Sequence, residues 1–205
     1  MRVTALAWGL AFLAGIGPAW GSPLSPEPDS FFRFLTPALP ASDQATLSRF
    51  PGFTEGPATG KPITVLFLPG CPHCFALWQA ITLLRETNPA VARLRFRWVP
   101  LTVTTAQAAA LAPYWQGPRD GKALAALMQS ESRTSSASTV PAAKVQAVLT
   151  ATRPALRWLR RTGAQVAPAL VGPGPHGSLE LHIGDATAVQ LLRWLGLAAK
   201  TDYAH

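Results

Sequence analysis

The sequence predicts an α/β domain: a central mixed sheet flanked by helices, with a helical insertion. Three observations lead there. Residues 63–68, Ile-Thr-Val-Leu-Phe-Leu, form a β-branched and aromatic run of strand length that stops at Pro69-Gly70. Directly afterwards Phe75, Leu77, Trp78, Ile81 and Leu84 recur at helical spacing and leave Gln79 and Thr82 on the polar side. Further extended stretches follow, separated by an alanine-rich helical pattern over about residues 104–161.

Taken in order, the chain opens with Met1-Arg2, an apolar stretch over residues 3–16, Gly17-Pro18 and the small-residue pattern Ala19-Trp20-Gly21. Charge, core length and cleavage-site order are those of a secretory signal peptide over residues 1–21, too short for a comfortable membrane span. Cleavage after Gly21 leaves a chain that does not span a membrane and is long enough for one domain. Residues 22–60 read as a proline-rich N-terminal arm packed on that domain. The arm carries an apolar helical patch at Phe31, Phe32, Phe34 and Leu35, and a short helix from Ser42-Asp43.

Residues 61–205 form the domain itself. After the first strand and its helix, residues 93–103 place Leu94, Phe96, Trp98, Leu101 and Val103 in a mainly alternating pattern, a second strand in which Pro100 marks an edge or a bend. Thr104 and Thr105 cap a helix to about Trp115, Gly117-Pro118 breaks it, and another helix runs from Arg119 to about Gln129. A Ser/Thr-rich loop over residues 130–141 precedes a helix that starts at Ala142, kinks at Arg153-Pro154 and ends at Gly163. Residues 168–171 and 179–183 flank a Gly/Pro turn over residues 172–177 and read as an antiparallel hairpin. Asp185 caps a last helix with Val189, Leu192 and Leu195 facing inward. Strand, helix, strand, helical insert, helix, hairpin and helix is the thioredoxin plan.

Hydrophobic residues make up 48% of the chain and charged ones 14%, the balance of a packed globular protein rather than a disordered one. The net charge of +8 would suit nucleic acid, but the arginines are scattered and no aromatic-basic motif accompanies them, so no nucleic-acid partner is expected. Arg153, Arg157, Arg160 and Arg161 form one basic stripe at helical spacing, read as a solvated helix face.

The chemistry concentrates at Cys71-Pro72-His73-Cys74, which holds the only two cysteines. Their two-residue spacing suits thiol–disulfide exchange. At the start of a helix, free N–H groups and the positive end of the helix dipole favour an anion at Cys71, and His73 adds positive charge or a donor. Pro72 stands where its missing N–H costs little and its fixed φ suits a helix start. Cys74, one turn inside, is the resolving thiol. A purely structural disulfide would join no distant segments and restrict the unfolded chain by only about 2 kcal/mol. Zinc needs about four ligands, and His73, His176, His182 and His205 have no paired spacing. Haem attachment needs histidine after the second cysteine, where Phe75 stands. No metal and no cofactor beyond the redox-active Cys71–Cys74 disulfide is expected.

Over roughly residues 53–196 the chain resembles the catalytic part of the periplasmic DsbC/DsbG disulfide isomerases, and the DsbG branch more closely. The likeness rests on Val65-Leu-Phe-Leu-Pro-Gly-Cys-Pro-His-Cys74, on Trp78-Gln79, on the strand and alanine-rich helix over residues 97–115, and on Gly163-Ala-Gln-Val-Ala-Pro-Ala-Leu170 with its hairpin and helix. The resemblance implies a periplasmic location and a cis bond at Ala167-Pro168, with Ala167 contacting the client backbone beside the cysteines. Ala167 replaces the usual threonine, only about forty residues precede the first core strand in place of a dimerisation domain, and Pro72-His73 matches the strongly oxidising DsbA enzymes. These departures shift the expectation from isomerase toward oxidase, and toward a monomer or weak dimer.

The expected function is therefore an exported thiol:disulfide oxidoreductase. Cys71 and Cys74 are catalytic, Pro72 and His73 tune them, and Ala167 and Pro168 form the client groove. Its partners are client proteins with thiols or disulfides and a membrane redox partner that resets the pair. The other reading is a client-binding chaperone or assembly factor of a secretion or conjugation apparatus. No carboxylate lies between Lys61 and Arg85, so His73 or water would carry the proton.

Overall fold

The computed structural model describes residues 39–131, 140–164, 167–173, 179–184 and 186–197. The expected signal peptide, the arm up to residue 38, most of the Ser/Thr-rich loop, residues 174–178 and Asp185 lie outside them. The elements are α1 (Ala41–Arg49), β1 (Phe53–Glu55), β2 (Pro62–Phe67), α2 (Pro72–Thr87), α3 (Pro89–Ala92), β3 (Arg95–Pro100), α4 (Thr105–Trp115), α5 (Gly121–Glu131), α6 (Ala142–Arg161), β4 (Ala169–Pro173), β5 (Leu179–Ile183) and α7 (Ala188–Trp194).

The strands form one mixed sheet in the order β1-β3-β2-β4-β5. β2 and β3 are parallel, with Ile63 opposite Phe96 and Phe67 opposite Pro100, and α2 makes the crossover between them. β1 closes one side antiparallel to β3, and β4 and β5 continue antiparallel on the other. β2 is buried almost throughout because both its faces are covered. On one face Ile63, Val65 and Phe67 meet Leu77 and Ile81 of α2 in a core shared with α4, α5 and α7. On the other, Leu66 and Val99 meet Leu47 of α1 and Trp158 and Leu159 of α6. Among the described residues no helix is long and apolar enough to cross a membrane.

Local signals explain most boundaries. Thr104 and Gln107 form a reciprocal capping box at α4, as Thr187 and Gln190 do at α7. α6 runs unbroken through Pro154, where the sequence suggests a kink. Both Pro154 and Thr150, whose carbonyl loses its helical partner, are exposed, so that carbonyl is open to solvent. Asp120, not Arg119, marks the start of α5, and its carboxylate accepts from the Ala123 N–H at 3.0 Å.

Three expectations need correction. β3 is not at an edge. Pro100 is its last residue, beyond the reach of β1, which pairs only with Phe96, Arg97 and Trp98, so its missing N–H breaks no ladder bond there. The hairpin strand extends past the expected turn start through Gly172 and Pro173, which pair with Glu180 and Leu179. Gly172 is needed because Trp194 covers it, and a Cβ there would sit 3.0 Å from the indole ring. In α7 the buried residues are Leu191 and Trp194, while Val189 is 56% exposed. The cap at Thr187 and the docking of Trp194 set the helix phase. β1 itself has no counterpart in the sequence reading.

Two buried ionisable groups bear on stability. Glu55 of β1 accepts from Trp98 Nε1 at 2.8 Å and lies 3.5 Å from Arg85. Burial raises its pKa and outweighs the opposing pull of Arg85 and the Trp98 hydrogen bond. His182 of β5 is 1% exposed and packs edge-on against Trp194 at 4.5 Å. Burial lowers its pKa against the raising influence of Glu180, 3.3 Å away, so the neutral ring is the favoured form.

Glu55→Ala should cost about 2–3 kcal/mol by stranding the Trp98 donor, whereas Glu55→Gln, which keeps an oxygen there, should cost under about 1 kcal/mol in urea unfolding. The unfolded chain protonates His182 before the folded one does. Stability should therefore be level above about pH 6.5 and fall as the pH drops below it. His182→Gln should flatten that slope in thermal melts between about pH 7 and 5.

Candidate active site

β2 ends at Phe67, and Gly70, with φ +80°, turns the chain so that Cys71 becomes the N-cap of α2. The Cys71 N–H donates to the Leu68 carbonyl at 3.2 Å, and its carbonyl accepts from Phe75 N–H at 3.1 Å. Its sulfur accepts from the Cys74 N–H at 3.4 Å, taking the place that a serine or aspartate oxygen usually fills at a helix start. Pro72 occupies the first helical position, and it and His73 are exposed. Cys74 is fully buried among the residues of the α2 core, while Cys71 remains partly exposed.

The segment before β4 reaches this turn from the far side of the chain. Ala167-Pro168 is a cis peptide, Pro168 is buried, and the Pro168 carbonyl is held by Gly184 N–H at 2.8 Å. The Cys71 thiol donates to the Ala167 carbonyl at 3.9 Å, a long contact of the kind sulfur makes. Thus Cys71, Cys74, Ala167 and Pro168 come together from segments almost a hundred residues apart. An accessible sulfur with a helix N-terminus beneath it and a second thiol inside the same turn can form and resolve a mixed disulfide.

A buried carboxylate that the sequence reading did not single out is Glu55 of β1. It meets Arg85 in the last turn of α2, whereas Cys74 is in the first, about 16 Å away along the axis at the usual rise per residue. Glu55 therefore holds the last turn of the helix. Also unforeseen is the buried pair Thr102 and Thr152, whose hydroxyls are hydrogen-bonded to each other. It fastens the segment after β3 to the middle of α6. Among the described residues no three His, Cys, Asp or Glu side chains are grouped to hold a metal ion.

Sheet order, the parallel crossover and the helix that follows β2 make this a thioredoxin fold with a helical insertion. Neither a family model nor a curated protein matches the chain. Solved structures do. BcfH of Salmonella enterica Typhimurium superposes with a TM-score of 0.56 at 16% identity, over 77% of this chain and 78% of its own. ScsC of Proteus mirabilis in a transitional conformation gives 0.54 at 17% identity over 76% of each chain. DsbA2 of Pseudomonas aeruginosa gives 0.52 at 16%, over 73% of this chain and 95% of its own. At such identities the shared property is the fold.

Exposure makes the two thiols unequal. Brief iodoacetamide treatment of the reduced native protein should give a single adduct, placed by peptide mass spectrometry on Cys71, with Cys74 labelled only after unfolding. Equal labelling in the native state would contradict the burial of Cys74.

Proposed function

We propose that the protein is an exported thiol:disulfide oxidoreductase of the periplasm that exchanges disulfides with client proteins through Cys71 and Cys74. One observation carries the reading: the only sulfur open to a client is the one that caps α2, and the second sulfur is buried directly behind it. The sequence resemblance to the DsbG catalytic domain and the fold likeness to DsbA2 support the same class.

In the direction we favour, a client thiolate attacks Cys71 of the oxidised pair, and Cys74 leaves as a thiolate. Burial of Cys74 directs the attack to Cys71. A second client thiolate then attacks the client sulfur of the mixed disulfide and expels Cys71. The client loses two electrons and gains a disulfide, and the protein is left as the dithiol. The Cys74 N–H bond strengthens when the Cys71 sulfur is anionic, which stabilises the leaving group and favours the reduced form, the mark of an oxidant. The Ala167 carbonyl and Pro168 beside Cys71 offer the client backbone a place to lie. A membrane redox partner would accept the two electrons and restore the disulfide.

Cys71→Ser should abolish oxidation of a reduced model peptide, while Cys74→Ser, whose Cys71 thiolate still attacks the disulfide of an oxidised client but has no neighbouring thiol to resolve the product, should accumulate mixed disulfides that dithiothreitol releases. Equilibration with glutathione buffers should place the pair nearer the roughly −120 mV of DsbA than the roughly −270 mV of thioredoxin. A Cys71→Ser variant with full activity would overturn the proposal.

A further inference from the structure

On the sheet face away from α2, a groove of about 410 Å³ lies between α1 and the strands. Its floor crosses three strands in register, from Arg97 through Thr64 to Val171, with Arg95 two residues from Arg97 on the same side of β3. Ala45, Pro62 and Leu179 supply the apolar wall that a ligand can reach, while Leu47 and Val171 are almost fully buried, and Gln44 and Ser48 of α1 stand over it. Thr64 is seven residues before Cys71, so the groove is at the opposite end of β2 from the sulfurs.

Among the described residues the two arginines are held by neutral groups. Arg97 donates through Nη1 to the Leu47 carbonyl at 2.9 Å and through Nη2 to the Phe50 carbonyl, and Arg95 donates through Nη1 to the Ala58 carbonyl at 2.8 Å. Among the described residues neither has a carboxylate within ion-pair distance. Two guanidinium groups carry ten N–H donors between them, and these three bonds leave most unused. Burial, then the positive charges of Arg95 and Arg119, pull the Arg97 pKa down, the response of a cation crowded by like charge and lacking a counterion. Arginine placed in this way matches the planar geometry of a carboxylate or phosphate.

We infer that this groove is a binding site for a small amphiphilic anion, its carboxylate or phosphate head on Arg95 and Arg97 and its short apolar tail against Ala45, Pro62 and Leu179. The volume lies within the ordinary range for small-molecule sites. The inference does not depend on the redox reading, since no cysteine takes part.

The test is calorimetric titration of the whole purified protein with octanoate and with octyl phosphate, beside 1-octanol as the uncharged analogue. At least one of the two anions should bind saturably, and the tighter one identifies the head group. Arg95→Gln should weaken that binding about tenfold or more, while Arg157→Gln, which removes the same charge from the exposed face of α6, should leave it unchanged. Arg97→Gln frees two carbonyls that hold α1 and can unfold the segment, so Arg95, with its single bond, is the deciding position. Absence of saturable binding by either anion, equal weakening in Arg95→Gln and Arg157→Gln, or octanol binding as tight as the anions would each overturn the site.

Discussion

Parallel strands cannot be joined by a tight turn, and β2 and β3 are parallel over six residue pairs. The chain leaving β2 must cross back over the sheet, and α2 is that crossover. Its first residues consequently lie at the C-terminal end of β2, with backbone N–H groups pointing at whatever the chain places there. In this protein that residue is Cys71. The antiparallel β4 enters the sheet beside β2 from the same end, which is why Ala167 and Pro168 arrive next to a cysteine so distant in sequence. The site is thus a product of strand direction before it is a product of any particular side chain.

The helical insertion is tied into this frame by α6. Its first half contributes Val148 to the core shared with α4 and α5, and its second half contributes Ala155, Trp158 and Leu159 to the opposite face of the sheet. Thr152 stands where one role gives way to the other, bonded to Thr102 and to the Val148 carbonyl. A buried hydroxyl needs such partners, and the two threonines supply each other. Trp158 also donates to Asp43 of α1 at 3.0 Å, so one helix organises both the insertion and the residues before the first core strand. The four arginines of the stripe are all exposed, the outer face that this arrangement leaves to water.

Much of this was legible because strong local signals coincided with tertiary demands. The run ending at Pro69-Gly70, the capping residue Thr104 and the helical spacing of Leu77, Trp78, Ile81 and Leu84 each state their structure within a few residues. What escaped was set by distant partners. Three residues of β1 make no periodic pattern, and Glu55 is buried only because Trp98 and Arg85 await it. In the last helix Leu192 and Leu195 pack on the core as expected, but Val189 is exposed and the deepest positions are Leu191 and Trp194, which the helical spacing alone does not single out. That choice comes from Gly172 and His182, which receive Trp194 on the hairpin. The arginines of β3 gave no sign of facing a groove, since alternation shows which side a residue takes and not whether a neighbour fills the space beyond it.

The two ends of α2 are fastened by different means. At the far end Arg85 is held against Glu55, the Asn88 N–H closes on the Leu84 carbonyl at 2.8 Å, and the Asn88 side chain caps the start of α3. At the near end the fastening is the Cys71 sulfur itself, the same atom that changes partners in the exchange we propose. A helix clamped at one end and capped by a reactive atom at the other is a cantilever. Were the sulfur engaged elsewhere, the hydrogen bond lost would be one in the first turn, while the clamp at Arg85 would keep its partners.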